Sequence, residues 1–294
     1  MEGGARGVFR EVGLVMARFT IGIVGNGAKL HSRCFEDVAR GMAYALRTLG
    51  HETVEFDDSS PGRLLLFGSN NVFDPDGKMP KDAIIYNSEQ VAATRGAALI
   101  QNVTQYRSHV IWDYSRKNIE KLKALGIERA VHCPVGYVPS MEVIEASPQD
   151  DIDVLHYGSM NPRRARILNL LEARGLKVVR LFGVYGRERD QMIARSKVVV
   201  NIHFYGQPIF EIFRVSHLLA NRRCVVSEGG GTDLELEDFA GRATRLVSYD
   251  DVVEACVELV KDERKRREQA ERGYEAFRQA DLVENVRKAL EESQ

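Results

Sequence analysis

The stretch Asn201 to Glu228, NIHFYGQPIFEIFRVSHLLANRRCVVSE, decides how the chain is read. It opens as the end of a strand, turns at Gly206 and Pro208, continues as a mostly apolar helix and closes on a second strand. A β-branched run, a glycine turn, a helix and another β-branched run form the repeating unit of a parallel α/β sheet. Pro208 suits a first helical position, which puts Glu211 about one turn into the helix. It is a lone carboxylate among Ile209, Phe210, Ile212 and Phe213.

The same unit recurs on both sides. Upstream, TIGIVGNG (20–27) reads as a strand ending in glycines, followed by a helix with Ser32 as its expected N-cap, Glu36 in its first turn and Gly50 as its stop. RLLLFGS (63–69), DAIIYNSE (82–89), HVIWDYS (109–115) and AVHCPVGYVP (130–139) follow as short apolar runs, with a helix over 115–126. The polar segment 140–153, SMEVIEASPQDDID, interrupts the pattern as a linker. The alternation then restarts with VLHYGS (154–159), PRRARILNLLEARG (162–175) and KVVRLFGVYG (177–186). The expected fold is α/β, with two tandem Rossmann-like doubly wound domains facing a central cleft. Residues 1–19 are a tail, 20–139 and 154–275 the two domains, and 276–294 a C-terminal helix packing back on the first domain.

A length of 294 residues suits two domains of ordinary size. With 44% hydrophobic and 28% charged residues and a net charge of -1, nothing in the balance draws the chain to nucleic acid or an anionic membrane. The basic run DERKRREQAERGYEAFRQ (262–279) alternates signs and reads as a solvated helix face. Four cysteines, Cys34, Cys133, Cys224 and Cys256, fit no metal-ligand spacing and point to reduced thiols and a cytoplasmic location. No apolar run approaches the roughly 18 to 20 residues that span a bilayer. The N-terminus lacks the apolar core of a signal peptide, and Met16 is a candidate start.

In parallel sheets ligands sit at the carboxyl ends of the strands. The first turn, Gly25 to Leu30, lacks the third glycine of a dinucleotide fingerprint, so it reads as a chain-reversal turn that leaves His31 toward the cleft. In the second domain, Gly158 and Ser159 end a strand, and Arg163 and Arg164 open the next helix. Cations are disfavoured at that end by the helix dipole, which points to a shared anion; two surface arginines flanking a loop are the alternative. Gly206 allows close backbone approach, and the first turn after Pro208 offers N–H groups to a diphosphate. Glu211 beside it could accept both hydroxyls of a ribose, or it complements the helix dipole or pairs with Arg214.

On these residues the chain resembles glycosyltransferases of the GT-B fold, from Thr20 nearly to its end. Retaining members carry a Glu-x7-Glu motif whose second Glu binds the donor ribose. His203-x7-Glu211 occupies that frame with Tyr205 and Gly206 in its loop, and FEIFRVSHLLANRRCVVSE (210–228) is closest to a CgeB-like branch. The first Glu is replaced by His203, at a position that contacts the donor sugar in the family. The resemblance implies Gly158, Ser159, Arg163 and Arg164 at the phosphates, Val184 and Tyr185 at the base, and Glu211 at the ribose. The expected reaction moves a sugar from a nucleoside-diphosphate sugar, such as a UDP-sugar, to an unidentified acceptor, without a cofactor or a metal. The short acidic strings Asp74-Pro75-Asp76 and Asp151-Ile152-Asp153 read as solvated turns. His31 is the candidate base for the acceptor and His203 a second catalytic candidate, with Glu89 and Asp113 as further cleft carboxylates. An epimerase or hydrolase of the same architecture, and a silent nucleotide-binding protein, are the alternatives.

Overall fold

The computed structural model describes residues 16–24, 30–55, 62–68, 79–91, 104–204 and 208–294, the side chains of Leu30, His31 and Glu55 excepted. Strands and helices alternate along it. The first sheet comprises β1 (Arg18–Ile23), β2 (Glu52–Glu55), β3 (Arg63–Phe67), β4 (Ile84–Asn87), β5 (Val110–Asp113) and β6 (Ala130–His132). These six strands run parallel in the order β2-β1-β3-β4-β5-β6. The second sheet comprises β7 (Ile152–Tyr157), β8 (Val178–Leu181), β9 (Ser196–Asn201), β10 (Val225–Glu228) and β11 (Arg245–Val247), parallel in the order β11-β10-β9-β7-β8. Buried on both faces, strands such as β4 and β10 are apolar throughout their first half.

The helices are α1 (Glu36–Thr48), α2 (Arg116–Ala124), α3 (Pro162–Ala173), α4 (Gly186–Ala194), α5 (Ile212–Ala220), α6 (Leu234–Ala243), α7 (Val252–Lys261), α8 (Glu263–Arg278) and α9 (Leu282–Glu292). A 3-10 helix, Leu30–Phe35, precedes α1. Ser32 lies inside that 3-10 turn, and Phe35, with no side-chain cap bond, stands at the N-cap position of α1, so the cap expected at Ser32 is displaced. The anchor is Phe35 itself, which is buried in the core.

The second correction falls on the opening stretch. Helix α5 begins at Ile212, with Glu211 at its N-cap position and Pro208 outside it. Residues 208–210 are held outside the helix by other contacts: Ile209 N donates to Gln90 Oε1 at 2.9 Å and Thr232 N to the Pro208 carbonyl at 2.8 Å. Ile209 and Phe210 are almost wholly buried. Their apolar character belongs to this packed crossing, and it merely continues the helical spacing of the sequence.

The two halves share one hydrophobic cluster. Phe213 of α5 projects into the first half and meets Tyr114, Tyr86 and Phe35 edge-on, with ring centroids 5.2, 5.9 and 6.0 Å apart. Helix α8 packs on α5 and α6, whereas α9 packs on α1 of the first half. The chain breaks between α8 and α9 where Tyr137 N donates to the Ala280 carbonyl at 2.6 Å and Leu282 N to the Tyr137 carbonyl at 3.3 Å. Cys133, Cys224 and Cys256 are buried thiols and Cys34 is an exposed one. Among the described residues no helix is long and apolar enough to cross a membrane.

Candidate functional site

A cavity of about 380 Å³ opens between the halves at the carboxyl ends of β7 and β8. The strand order of the second sheet reverses beside it, between β7 and β9, and parallel sheets leave a crevice at such a point. The second half contributes Tyr157, Gly158 and Ser159, the loop Phe182 to Tyr185, and Phe210 to Arg214. The first half contributes Cys34, Asp37, Ser88, Gln90 and Tyr114.

Glu211 sits on the cavity wall with both carboxylate oxygens engaged. Arg164 Nη2 donates to Oε1 at 2.7 Å, and Arg214 Nη1 reaches Oε2 at 2.5 Å. Burial pushes the Glu211 carboxyl up, and the two guanidinium groups more than offset it, holding its pKa below the ordinary value. Arg164 is 2% exposed and spends its remaining donors on the Ile202 and Ser159 carbonyls, each at 2.8 Å. Helix α3 starts at Pro162 as expected, and Asn161 caps it, accepting from Arg164 N. Its two leading arginines share no anion within the protein: Arg163 pairs with Glu228 and Arg164 with Glu211. Arg163 pairs with Glu228, donates to the His203 carbonyl at 3.2 Å and lies 3.9 Å from the Tyr249 ring centroid.

Gly158 has φ +124°, a region that favours glycine, and a Cβ there would stand 2.7 Å from Arg214 Nη2. The strand-end glycine therefore makes room for a guanidinium. Val184 and Tyr185 line the cavity, with Arg33 5.4 Å from the Tyr185 ring centroid. Phe182 is exposed on the rim.

His203 is fully buried and is not among the cavity-lining residues. Its N–H donates to Glu228 at 3.0 Å, and neither ring nitrogen has a hydrogen-bond partner among the described residues. Burial lowers its pKa, keeping the ring neutral. His31 lies in the 3-10 helix, with its side chain outside the described ones; Tyr205, Gly206, Asp74 and Asp76 lie outside the described residues altogether. Asp151 is paired with Arg195 and Lys177, and Asp153 with Lys197, at the start of β7 and away from the cavity. Among the described residues no cluster of His, Cys, Asp and Glu could hold a metal. Asp113 is wholly buried, accepts from Asn87, Ser115 and Asn118, and is pushed up to about 8 by burial.

One group of cavity residues gives no sign in the sequence. Asp37 of α1 accepts from Arg189 Nη1 of α4 at 2.6 Å across the two halves, and Arg40 adds a second cation at 2.5 Å. Arg189 also pairs with Asp190 at 2.8 Å, and His217 Nε2 lies 2.8 Å from the same carboxylate. Only the folded chain brings residues 37, 189 and 217 together.

No known family model matches the chain. Two uncharacterized proteins of Acanthamoeba polyphaga mimivirus are similar in sequence. L140 is 28% identical over 184 residues, 60% of this chain and 59% of L140; L138 is 26% identical over 168 residues, 55% of this chain and 19% of L138. The similarity thus spans less than two thirds of either relative. Solved structures give a fuller overlap. Anabaena Alr3699/HepE, in complex with UDP and glucose, superposes with a TM-score of 0.60 at 11% identity, covering 94% of this chain and 98% of that one. AviGT4, a glycosyltransferase of avilamycin A biosynthesis, gives 0.55 at 14% identity, covering 94% and 97%. A mutant of T4 phage BGT in complex with UDP-glucose gives 0.51 at 12%, also covering 94% and 97%. Two parallel sheets facing one cavity, superposable on these chains over nearly their whole length, are the GT-B fold, and this chain has it.

Proposed function

We propose that the protein is a glycosyltransferase that takes a sugar from a nucleoside-diphosphate sugar, a UDP-sugar being the first choice, and passes it to an acceptor entering from the first domain. The observation that carries this reading is the place of Glu211: a carboxylate on the cavity wall, at the N-terminus of α5, in the same cavity that Val184 and Tyr185 line. Superposition on chains whose structures contain UDP or UDP-glucose supports it.

In this reading Glu211 accepts the ribose hydroxyls and Arg164 fixes its orientation from behind. Gly158 and Ser159 approach the diphosphate, toward the positive end of α5; the resemblance assigns Tyr205 and Gly206 to the donor as well. Breaking the sugar–phosphate bond puts charge on the leaving diphosphate, and fixed positive potential from the protein stabilises it, so the reaction is proposed to proceed without a metal. His31 is the proposed base for the acceptor hydroxyl, and His203 the proposed support of the donor-sugar side, held in place by Arg163 and Glu228. A thermal-shift screen over nucleosides, nucleoside diphosphates and nucleotide sugars tests the reading, because a ligand of the folded state raises its stability with occupancy. A UDP-sugar that raises the melting temperature and is turned over with an acceptor is the expected result; no shift from any nucleotide would sink the reading.

A silent nucleotide-binding protein is the second reading, favoured by His203, which is buried and does not line the cavity, where the family frame has a Glu. It is distinguished by tight nucleotide binding with no release of sugar.

A further inference from the structure

The charges around Glu211 do not balance. One carboxylate stands between two guanidinium groups, and only one of them is locked. Arg164 is buried and spends its donors on Ile202, Ser159 and Glu211. Arg214 touches Glu211 and Asn201 through Nη1 alone, at 2.5 and 3.0 Å. Among the described residues its Nε and Nη2 have no acceptor, and Nη2 lies over Gly158 on the cavity side. Arg214 is 17% exposed, against 2% for Arg164. The cavity wall therefore carries one surplus positive charge, with unspent, directed N–H donors that a guanidinium presents in a fixed fork.

We propose that Arg214 is the diphosphate-binding cation of this cavity and that nucleotide binding exchanges its partner. Arg214 leaves Glu211 for the diphosphate, and the Oε2 it releases accepts the ribose hydroxyls. Oε1 stays with Arg164, so every charge keeps a counter-ion through the exchange and none is stranded in the buried wall. The inference rests on the nucleotide reading for the ribose, but the anion site stands on Arg214 itself. Gly158 belongs to the same device, since any side chain there would meet Nη2.

Calorimetric titration of the full chain with inorganic pyrophosphate, UDP and uridine tests it. Arg214→Ala is expected to weaken pyrophosphate and UDP by about 10- to 100-fold, the worth of a charged hydrogen-bonding group. Uridine affinity should hold or rise, because Glu211 has lost a competitor. Glu211→Gln, which preserves shape, is expected to tighten pyrophosphate severalfold and weaken uridine. Equal loss of UDP and uridine in Arg214→Ala, or unchanged pyrophosphate binding in either variant, would overturn the proposal while leaving the nucleotide reading intact. Pyrophosphate binding that depends on Arg214, with no binding of UDP, ADP or GDP, would retire the nucleotide reading and leave the anion site. Failure of the wild-type chain to bind pyrophosphate or any of these diphosphates would remove both.

Discussion

Trp112 Nε1 donates a hydrogen bond to Ser293 Oγ at 2.9 Å, fastening the end of α9 to the core of the first sheet. Trp112 is the single tryptophan of the chain and fully buried, so its emission reports this junction directly. Deleting residues 282–294 uncovers α1 and removes Leu282, Val286 and Leu290 from the core, a loss of roughly 2 kcal/mol for each side chain. The expected outcome is a red-shifted Trp112 emission and a first domain that no longer unfolds cooperatively. Ser293→Ala, which leaves the indole N–H unpaired, should cost about 1 kcal/mol in urea denaturation.

Glu211→Ala should destabilise the fold by about 3 kcal/mol as well as impair nucleotide binding, because it strands Arg164 in a buried wall. Glu211→Gln keeps an acceptor for Arg164 and should cost less than half of that. Urea denaturation of the two variants separates the structural part of this residue from its ligand part; equal losses in both would show that Arg164 needs the carboxylate's charge and that a neutral acceptor does not replace it.

Asp37→Asn breaks the pair that crosses the two halves and should cost about 2 kcal/mol at neutral pH. Burial raises the Asp37 carboxyl, but His217, Arg189 and Arg40 outweigh it and leave its pKa below the ordinary value. A carboxylate depressed in the folded state stabilises above its unfolded pKa, near 4, and loses that contribution as the pH falls through the folded value. The difference between wild type and Asp37→Asn should therefore be full above about pH 5 and vanish in strong acid, as read by denaturant titrations across that range.

His156 is buried beside Arg214 and Arg164, and burial first, then those two charges, hold it down to about 3. The unfolded chain takes up this proton as the pH falls below about 6.5, and the folded one does not until about 3, so the group weakens the fold progressively over that interval. Its imidazole resonances should stay at neutral-form positions from pH 8 to pH 5. A midpoint near 6.5 would show that the ring is hydrated.

Gly158→Ala should displace Arg214 and lower diphosphate affinity by about tenfold, since the added methyl falls against Nη2 and the φ is costly for any side chain. Comparing its affinity for pyrophosphate and uridine checks that the loss is confined to the anion.

Much of the fold could be read from residues that obey local rules. The runs VLHYGS and KVVRLFGVYG gave rise to β7 and β8, and PRRARILNLLEARG became α3 with Pro162 in its first turn. Local rules failed where contacts from the other half decide. Ile209 and Phe210 continue the apolar spacing of α5, yet Gln90 and Thr232 hold that segment outside the helix, so Glu211 ends at the helix mouth and not one turn within it. Site residues followed the same division. Val184 and Tyr185, named through the family resemblance, and Glu211, named from its helix, line the cavity, whereas Arg189 and Asp37 matter only through each other and carry no mark in the sequence. Arg214 could be noticed only as a neighbour of Glu211 on one helix face; its position over Gly158 depends on where β7 ends.

The backbone passes between the two halves twice, once near Glu142 and again between α8 and α9, and the two passages touch: Tyr274 Oη donates to Glu142 at 2.7 Å and Tyr137 N to Ala280. An opening of the cleft hinged at these passages would have to part the Asp37–Arg189 ion pair, which makes that pair the contact by which a closed form is told from an open one.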